Sequence, residues 1–184
     1  MSSSETLDIK NYIGLTGDTP IRFIASDVDG TLVNEAKNVD PEVVDAVRAA
    51  RESGIRVAIA SGRAWHEMDD VIDAMPCLRY FVCTNGAYVM DKEEKKELVH
   101  ISFDKTRAMD LVRKLMTYGV FVEAYVKAEI FGQYPVVGNE TLQAEHFFRP
   151  NIRPFILKTR TMVPDLLAHL ESLPEGPEKI QIFY

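Results

Sequence analysis

Apolar positions along this chain follow two periods, and each change of period marks an element. Ile21 to Ala25 is an unbroken apolar run that ends at Ser26, so residues 21–26 read as a buried strand. Asp40 and Pro41 then supply an N-cap and a first helical position, and Val43, Val44, Val47 and Ala50 recur at helical spacing up to Gly54, a C′ residue. The run IRVAIAS at 55–61 shows no polar alternation, as expected of a strand in a parallel sheet covered on both faces. A second helix is predicted from Ala64, with Trp65, Met68, Val71, Ile72 and Met75 as its apolar stripe and Pro76 as its end. YFVCTNG at 80–86 is a third strand. Strand, helix, strand, helix, strand is the opening of a Rossmann-like doubly wound α/β sheet.

From about residue 87 the pattern changes. AYVM, the charged turn DKEEKKE at 91–97 and LVHISF predict an antiparallel hairpin. Asp104 caps a helix carrying Leu111, Val112, Leu115 and Met116, closed by Gly119. FVEAYV and IFGQY form a further hairpin, Pro164 opens a helix with Leu166, Leu167, Leu170 and Leu173, and KIQIFY is a strand. Residues 135–160, rich in Pro, Asn and aromatics, give no clear assignment. This second half reads as an α+β layer laid against the first sheet.

Composition narrows the function. The 184 residues carry 28 acidic and 21 basic side chains, a formal charge of −7. That balance argues against broad electrostatic binding to nucleic acid or to an anionic membrane surface. It also means that an anionic substrate needs a metal or a local basic group. No apolar run approaches the roughly 18 residues that span a bilayer, and residues 1–19 lack the apolar core of a signal peptide. The expectation is a cytoplasmic protein with a loose N-terminal tail. Cys77 and Cys83 have no zinc or disulfide spacing and read as buried free thiols. His66, His100, His146 and His169 form no ligating pattern and read as surface or helix-face residues.

Chemistry gathers where the three parallel strands end, the place where open α/β sheets bind ligands. Asp27-Val28-Asp29-Gly30-Thr31 follows the first strand, Ser61-Gly62-Arg63 the second and Thr84-Asn85-Gly86 the third. Two acids one residue apart at the end of a buried strand are costly unless a hard cation, Mg²⁺ above all, binds them. Asp27 is placed to attack phosphorus. Asp29, expected to point to a different side, suits the acid and base roles. Gly30 allows the sharp turn that brings N–H groups, with Thr31, near a phosphate. Ser61 and Gly62 can hold a phosphate oxygen. Arg63 either adds charge to the pocket or pairs with an acid, and Asn85 and Gly86 either shape the pocket rim or form a plain turn. Tyr125, Phe131 and Tyr134 fit equally a substrate wall or a packed core.

DVDGTL, ASGR before a helix, and TNGA before a hairpin together resemble the haloacid dehalogenase-like hydrolases, a superfamily of Mg²⁺-dependent phosphatases, and within it the Cof-type branch. The resemblance covers roughly residues 20–184. It implies a core over 20–86, an inserted α+β cap over 87–184, Asp27 as nucleophile, Asp29 as acid and base, Ser61 as the second-motif hydroxyl and Mg²⁺ on Asp27 and Asp29. It implies hydrolysis of a small phosphorylated metabolite, a sugar phosphate or nucleotide, through an aspartyl-phosphate. The family's third motif, a phosphate-holding lysine, and its fourth, a GDxxND-like acidic loop, both follow the cap. Neither is found in this sequence, whose one Gly-Asp pair is Gly17-Asp18. The expectation is therefore a core truncated within or after the cap, with strand one as a bare apolar edge. Three further readings follow: a second copy or another chain completes the core sheet, the chain is a noncatalytic phosphate-binding or interaction module, or the enzyme is a phosphomutase.

Overall fold

The computed structural model describes residues 20–34 and 38–184; the tail expected over 1–19 lies outside the described residues. The chain builds two layers. The first is a five-stranded sheet of β1 (Phe23–Ser26), β2 (Arg56–Ala60), β3 (Tyr80–Cys83), β4 (Tyr88–Asp91) and β5 (Lys96–His100), in that spatial order. β1, β2 and β3 are parallel, and β4 and β5 add antiparallel strands. α1 (Pro41–Glu52) joins β1 to β2, and a 3₁₀ turn (Trp65–Met68) running into α2 (Asp69–Ala74) joins β2 to β3.

Both connections pack on the same face of the sheet. Val47 of α1 and Met68, Val71 and Met75 of the second connection share one buried cluster with Val57, Ile59, Phe81 and Cys83. Two right-handed crossovers that advance in the same direction across a sheet place their helices on one side. α1 starts and ends where the sequence predicts, with Ser53 as C-cap and Gly54 at φ +82°. The Asp40 side chain makes no cap bond; its Oδ1 instead accepts from Asn34 Nδ2 at 2.8 Å, bracing the loop after β1.

The second layer is a four-stranded sheet in the order β10 (Thr161–Met162), β7 (Glu129–Gln133), β6 (Phe121–Val126), β11 (Lys179–Phe183). α3 (Lys105–Met116) and α6 (Leu166–Ser172) cover one face, with Val112, Leu166 and Leu170 packed on Val122, Ala124, Val126 and Phe131. Asp104 caps α3 through a bond from Arg107 N–H at 3.0 Å. Asp165, rather than Pro164, caps α6, accepting from Ala168 N–H at 2.9 Å. Gly132 leaves room for the Phe121 ring, which would lie 2.6 Å from a Cβ there. The unassigned stretch forms the short hairpin β8 (Val136–Val137) and β9 (Glu140–Thr141), then α4 (Ala144–Phe147) and α5 (Arg153–Thr159). An aromatic cluster of Phe121, Phe147, Phe148 and Phe183 anchors it.

Three expectations need revision. The hairpin of β4 and β5 extends the first sheet, so the layer changes after His100 and not at residue 87. β1 is not buried: Phe23 is 53 % and Ile24 37 % exposed, because β2 is its one ladder partner among the described residues. His100 is not a surface residue; its ring is 10 % exposed and lies 2.8 Å from Glu178 and 3.1 Å from Glu175, where the chain passes between layers. His169 is a helix-face residue of α6 as expected, tilted against Phe131 with ring centres 4.2 Å apart. The two cysteines are unpaired thiols as expected, and burial pushes Cys83 up to about 12.

Candidate active site at the junction of the two layers

The loop after β1 is a tight turn on one carbonyl. Val28 O accepts from the N–H groups of Thr31, Leu32 and Val33, at 3.2, 3.0 and 3.0 Å. Gly30 sits at φ +76°, where a side chain would be strained. Val28 and Val33 point into the first core and pin the turn, while Asp27 and Asp29 are both exposed toward one cavity. The two acids thus face a shared space and not separate sides. Val28 between them faces inward, so the turn after β1 leaves both acids on the cavity side.

Asp27 Oδ1 accepts the Val28 N–H at 2.7 Å. Asp29 is held in a fork, with Arg63 Nε on its Oδ2 at 2.9 Å and Nη2 on its Oδ1 at 2.8 Å. Arg63 Nη1 reaches Asp70 at 3.2 Å and Glu67 O at 3.0 Å. Of the two readings left open for Arg63, the structure displays the ion pair. Burial alone would lower the Arg63 pKa; its bonds to Asp29 and the fields of Asp29 and Asp70 more than offset that, and the group lies above its ordinary value.

The loops after β2 and β3 lock together. Ser61 N donates to Val82 O at 2.9 Å, Thr84 N to Arg63 O at 2.8 Å and Asn85 N to Ser61 O at 3.2 Å. Thr84 and Asn85 both take left-handed backbone, φ +51° and +57°. The Asn85 amide presses on Gly62, 3.2 Å from where a Cβ would stand. This fixes the Ser61-Gly62-Arg63 segment from behind.

The second layer forms the opposite wall. A cavity of about 680 Å³ is lined by Asp27, Asp29, Ser61, Gly62 and Arg63 from the first layer, and by Tyr125, Asn151, Phe155, Lys179 and Gln181 among others from the second. Five of the nine residues singled out by sequence meet here. Gly30 and Thr31 lie on the turn outside this lining, and Asn85 and Gly86 lie outside it as well. Tyr125 lines the cavity, whereas Phe131 packs in the second core and Tyr134 on Phe121. A smaller cavity of about 330 Å³ shares Glu67, Asp70, Phe155 and Arg160 but contains neither Asp27 nor Ser61.

A buried ionic cluster ties the walls together. Arg160 pairs with Glu67 of the first layer through Nη1 and Oε1, and its Nε donates to Glu123 Oε2 at 3.1 Å. The Tyr125 hydroxyl donates to Glu123 Oε1 at 2.8 Å. Burial lowers the Arg160 pKa by itself, but the Glu123 bond and the charges of Glu123 and Glu67 raise it overall. Tyr125 is raised, first by burial and then by the two glutamates. The Phe155 ring lies 5.4 Å from the Arg63 guanidinium and 5.9 Å from that of Arg160. None of Glu67, Asp70, Arg160 or Lys179 stands in a motif, and their meeting depends on how the layers dock.

The donor set bears on a metal. Among the described residues no group of three His, Cys, Asp or Glu side chains is placed to hold an ion. Asp27 offers a hard carboxylate oxygen, which suits Mg²⁺. Both Asp29 carboxylate oxygens accept from Arg63.

Residues 24–180 match the family model of haloacid dehalogenase-like hydrolases. The chain belongs to that family. An α+β layer follows the parallel strands and the hairpin that extends their sheet. A similar curated protein is the phosphatase YwpJ of Bacillus subtilis, 30 % identical over 68 % of this chain and 43 % of that protein. Another is the pyridoxal phosphate phosphatase YbhA of Escherichia coli, 28 % identical over 62 % of this chain and 42 % of that protein. The chain thus spans less than half the length of these two relatives. A haloacid dehalogenase-like hydrolase structure from B. subtilis shares the fold with a TM-score of 0.67, at 23 % identity, over 89 % of this chain and 60 % of that one. No helix among the described residues is long and apolar enough to cross a membrane.

Proposed function

We propose that the cavity is the active site of a phosphatase acting on a small phosphate monoester, with Asp27 as nucleophile. The observation that carries this is the convergence on one space of an exposed strand-end carboxylate, a Ser-Gly loop clamped from behind, and a second acid held by an arginine fork. An Asp27 carboxylate oxygen attacks phosphorus in line with the ester oxygen, giving an aspartyl-phosphate. Asp29 gives a proton to the leaving oxygen, then takes one from the water that hydrolyses the intermediate. The Arg63 fork holds the Asp29 carboxylate at the cavity, and Asp29 carries the proton on leaving that fork. The Ser61 hydroxyl and the Gly62 N–H hold phosphoryl oxygens. Asp27 and Asp29 would hold Mg²⁺, which when bound offsets the repulsion between carboxylate and phosphate and polarises the phosphoryl group.

The test is Mg²⁺-dependent phosphate release from sugar phosphates, nucleotides, pyridoxal phosphate and an aryl phosphate, with Asp27→Asn as blank. Beryllium fluoride, a mimic of aspartyl-phosphate, is titrated in parallel by fluorine NMR. Release, or a fluoride complex, that disappears in Asp27→Asn supports the assignment. Neither signal from folded protein would overturn it. Transfer of phosphate between sugar positions without release would make the enzyme a phosphomutase.

A further inference from the structure

Three cations line the large cavity, and two are already matched with carboxylates. Arg63 faces Asp29 and Asp70, and Arg160 faces Glu67 and Glu123. Lys179 is different. Its Nζ donates to the Gly62 carbonyl at 3.2 Å and lies 4.5 Å from the centre of the Tyr125 ring. Among the described residues no carboxylate stands within ion-pair distance of it. An ammonium has three donors. One goes to Gly62, the ring closes one side, and the remainder face the cavity.

β11 explains the placement. Alternate residues of a strand share a face, and Lys179, Gln181 and Phe183 all line the cavity while Ile180 packs in the core of the second layer. The Lys179 side chain therefore enters the cavity from the second layer, and its ammonium reaches across to the Gly62 carbonyl. The second-layer wall offers one cation without a matched carboxylate, the amides of Asn151 and Gln181, and the apolar Ile152, Phe155 and Ile156. A cavity of about 680 Å³ holds far more than a phosphoryl group. Burial lowers the Lys179 pKa, offset in part by Glu67 and Glu123 and reinforced by Arg160.

We infer that Lys179 is a specificity residue that binds an acidic oxygen on the leaving group, so the preferred substrates are phosphate monoesters bearing a second anion, a carboxylate or another phosphate. This rests on the cavity being the phosphomonoester site, and its test is a binding measurement that needs no turnover.

The probes are phosphoglycolate and ethyl phosphate, which differ by the carboxylate, titrated calorimetrically with Mg²⁺ into the full chain carrying Asp27→Asn. A charge-assisted hydrogen bond predicts that phosphoglycolate binds about tenfold more tightly. Lys179→Met removes that ratio and leaves ethyl phosphate affinity unchanged; Lys179→Arg keeps the ratio. Equal binding of the two probes to the parent chain overturns the inference. So does an equal loss of both in Lys179→Met, which would assign the lysine to the phosphoryl group. Binding of neither probe to folded protein overturns the phosphate site itself. Where Lys179→Met fails to fold, the parent ratio and the Lys179→Arg ratio decide.

Discussion

Thr84 carries two costs at once. It is β-branched at φ +51°, and its hydroxyl is buried with no hydrogen-bond partner among the described residues. Left-handed backbone costs an ordinary residue about 1–2 kcal/mol, and an unpaired buried hydroxyl about as much again. The residue persists because its N–H holds Arg63 O and its neighbour Asn85 braces Gly62. Thr84→Gly keeps the turn and removes both costs at the loss of one buried methyl. The expected result is a gain of about 1 kcal/mol and a rise of roughly 2–4 °C in Tm by calorimetry. At this scale the sequence reveals which residues carry chemistry but not what they touch. Asp27, Ser61 and Gly62 are legible as strand-end residues. That the Arg63 fork closes on Asp29, 34 positions away, is not, because a fork needs a direction and spacing supplies none.

Two elements are fastened by charge. Arg160, at the end of α5, and Glu67, in the turn before α2, are both almost fully buried, 4 % and 5 % exposed as side chains. Removing one partner of such a pair leaves an uncompensated charge and typically costs about 3–5 kcal/mol. Glu67→Gln is expected to fall in that range by urea unfolding, while Glu67→Gln combined with Arg160→Met recovers part of it. At the hairpin, Arg79 Nη2 donates to Asp91 at 2.7 Å across the start of β3 and the end of β4. Arg79 holds the Asp91 carboxylate below its ordinary value of 3.8. A depressed carboxylate stabilises the fold above its unfolded pKa and loses that contribution as pH falls through the folded one. Unfolding midpoints should therefore drop in acid below about pH 4, and Asp91→Asn should remove part of that drop. The periodicities place α1, β2, α3, β6, β7 and β11 closely, since each has a long apolar stripe or run. Residues 135–160 fail because β8, β9 and α4 are two to four residues long, too short for a period to repeat.

At the scale of the molecule, the exposed flank of β1 is the weakest point. Ile21, Phe23 and Ile24 are all more than a third exposed on a strand with β2 as its one described partner. An apolar strand edge of this kind templates pairing with another chain. Phe23→Lys should lower self-association by light scattering as concentration rises. The opposite result, unchanged scattering, would mean that the edge is not a contact. The fold class was legible because the strand and helix alternation specifies a parallel sheet. The layer boundary was not, since a hairpin that extends one sheet has the same pattern as one that founds another. Glu67 Oε1 accepts from Arg160 and its Oε2 accepts from the Ala64 N–H at 2.8 Å, so a single side chain holds both the second layer and the backbone directly after Arg63. A tilt of the second layer that draws Arg160 away removes one of the holds on Glu67, the side chain that also accepts from the residue next to Arg63. Movement of the second layer and the setting of the Arg63 backbone therefore share one joint.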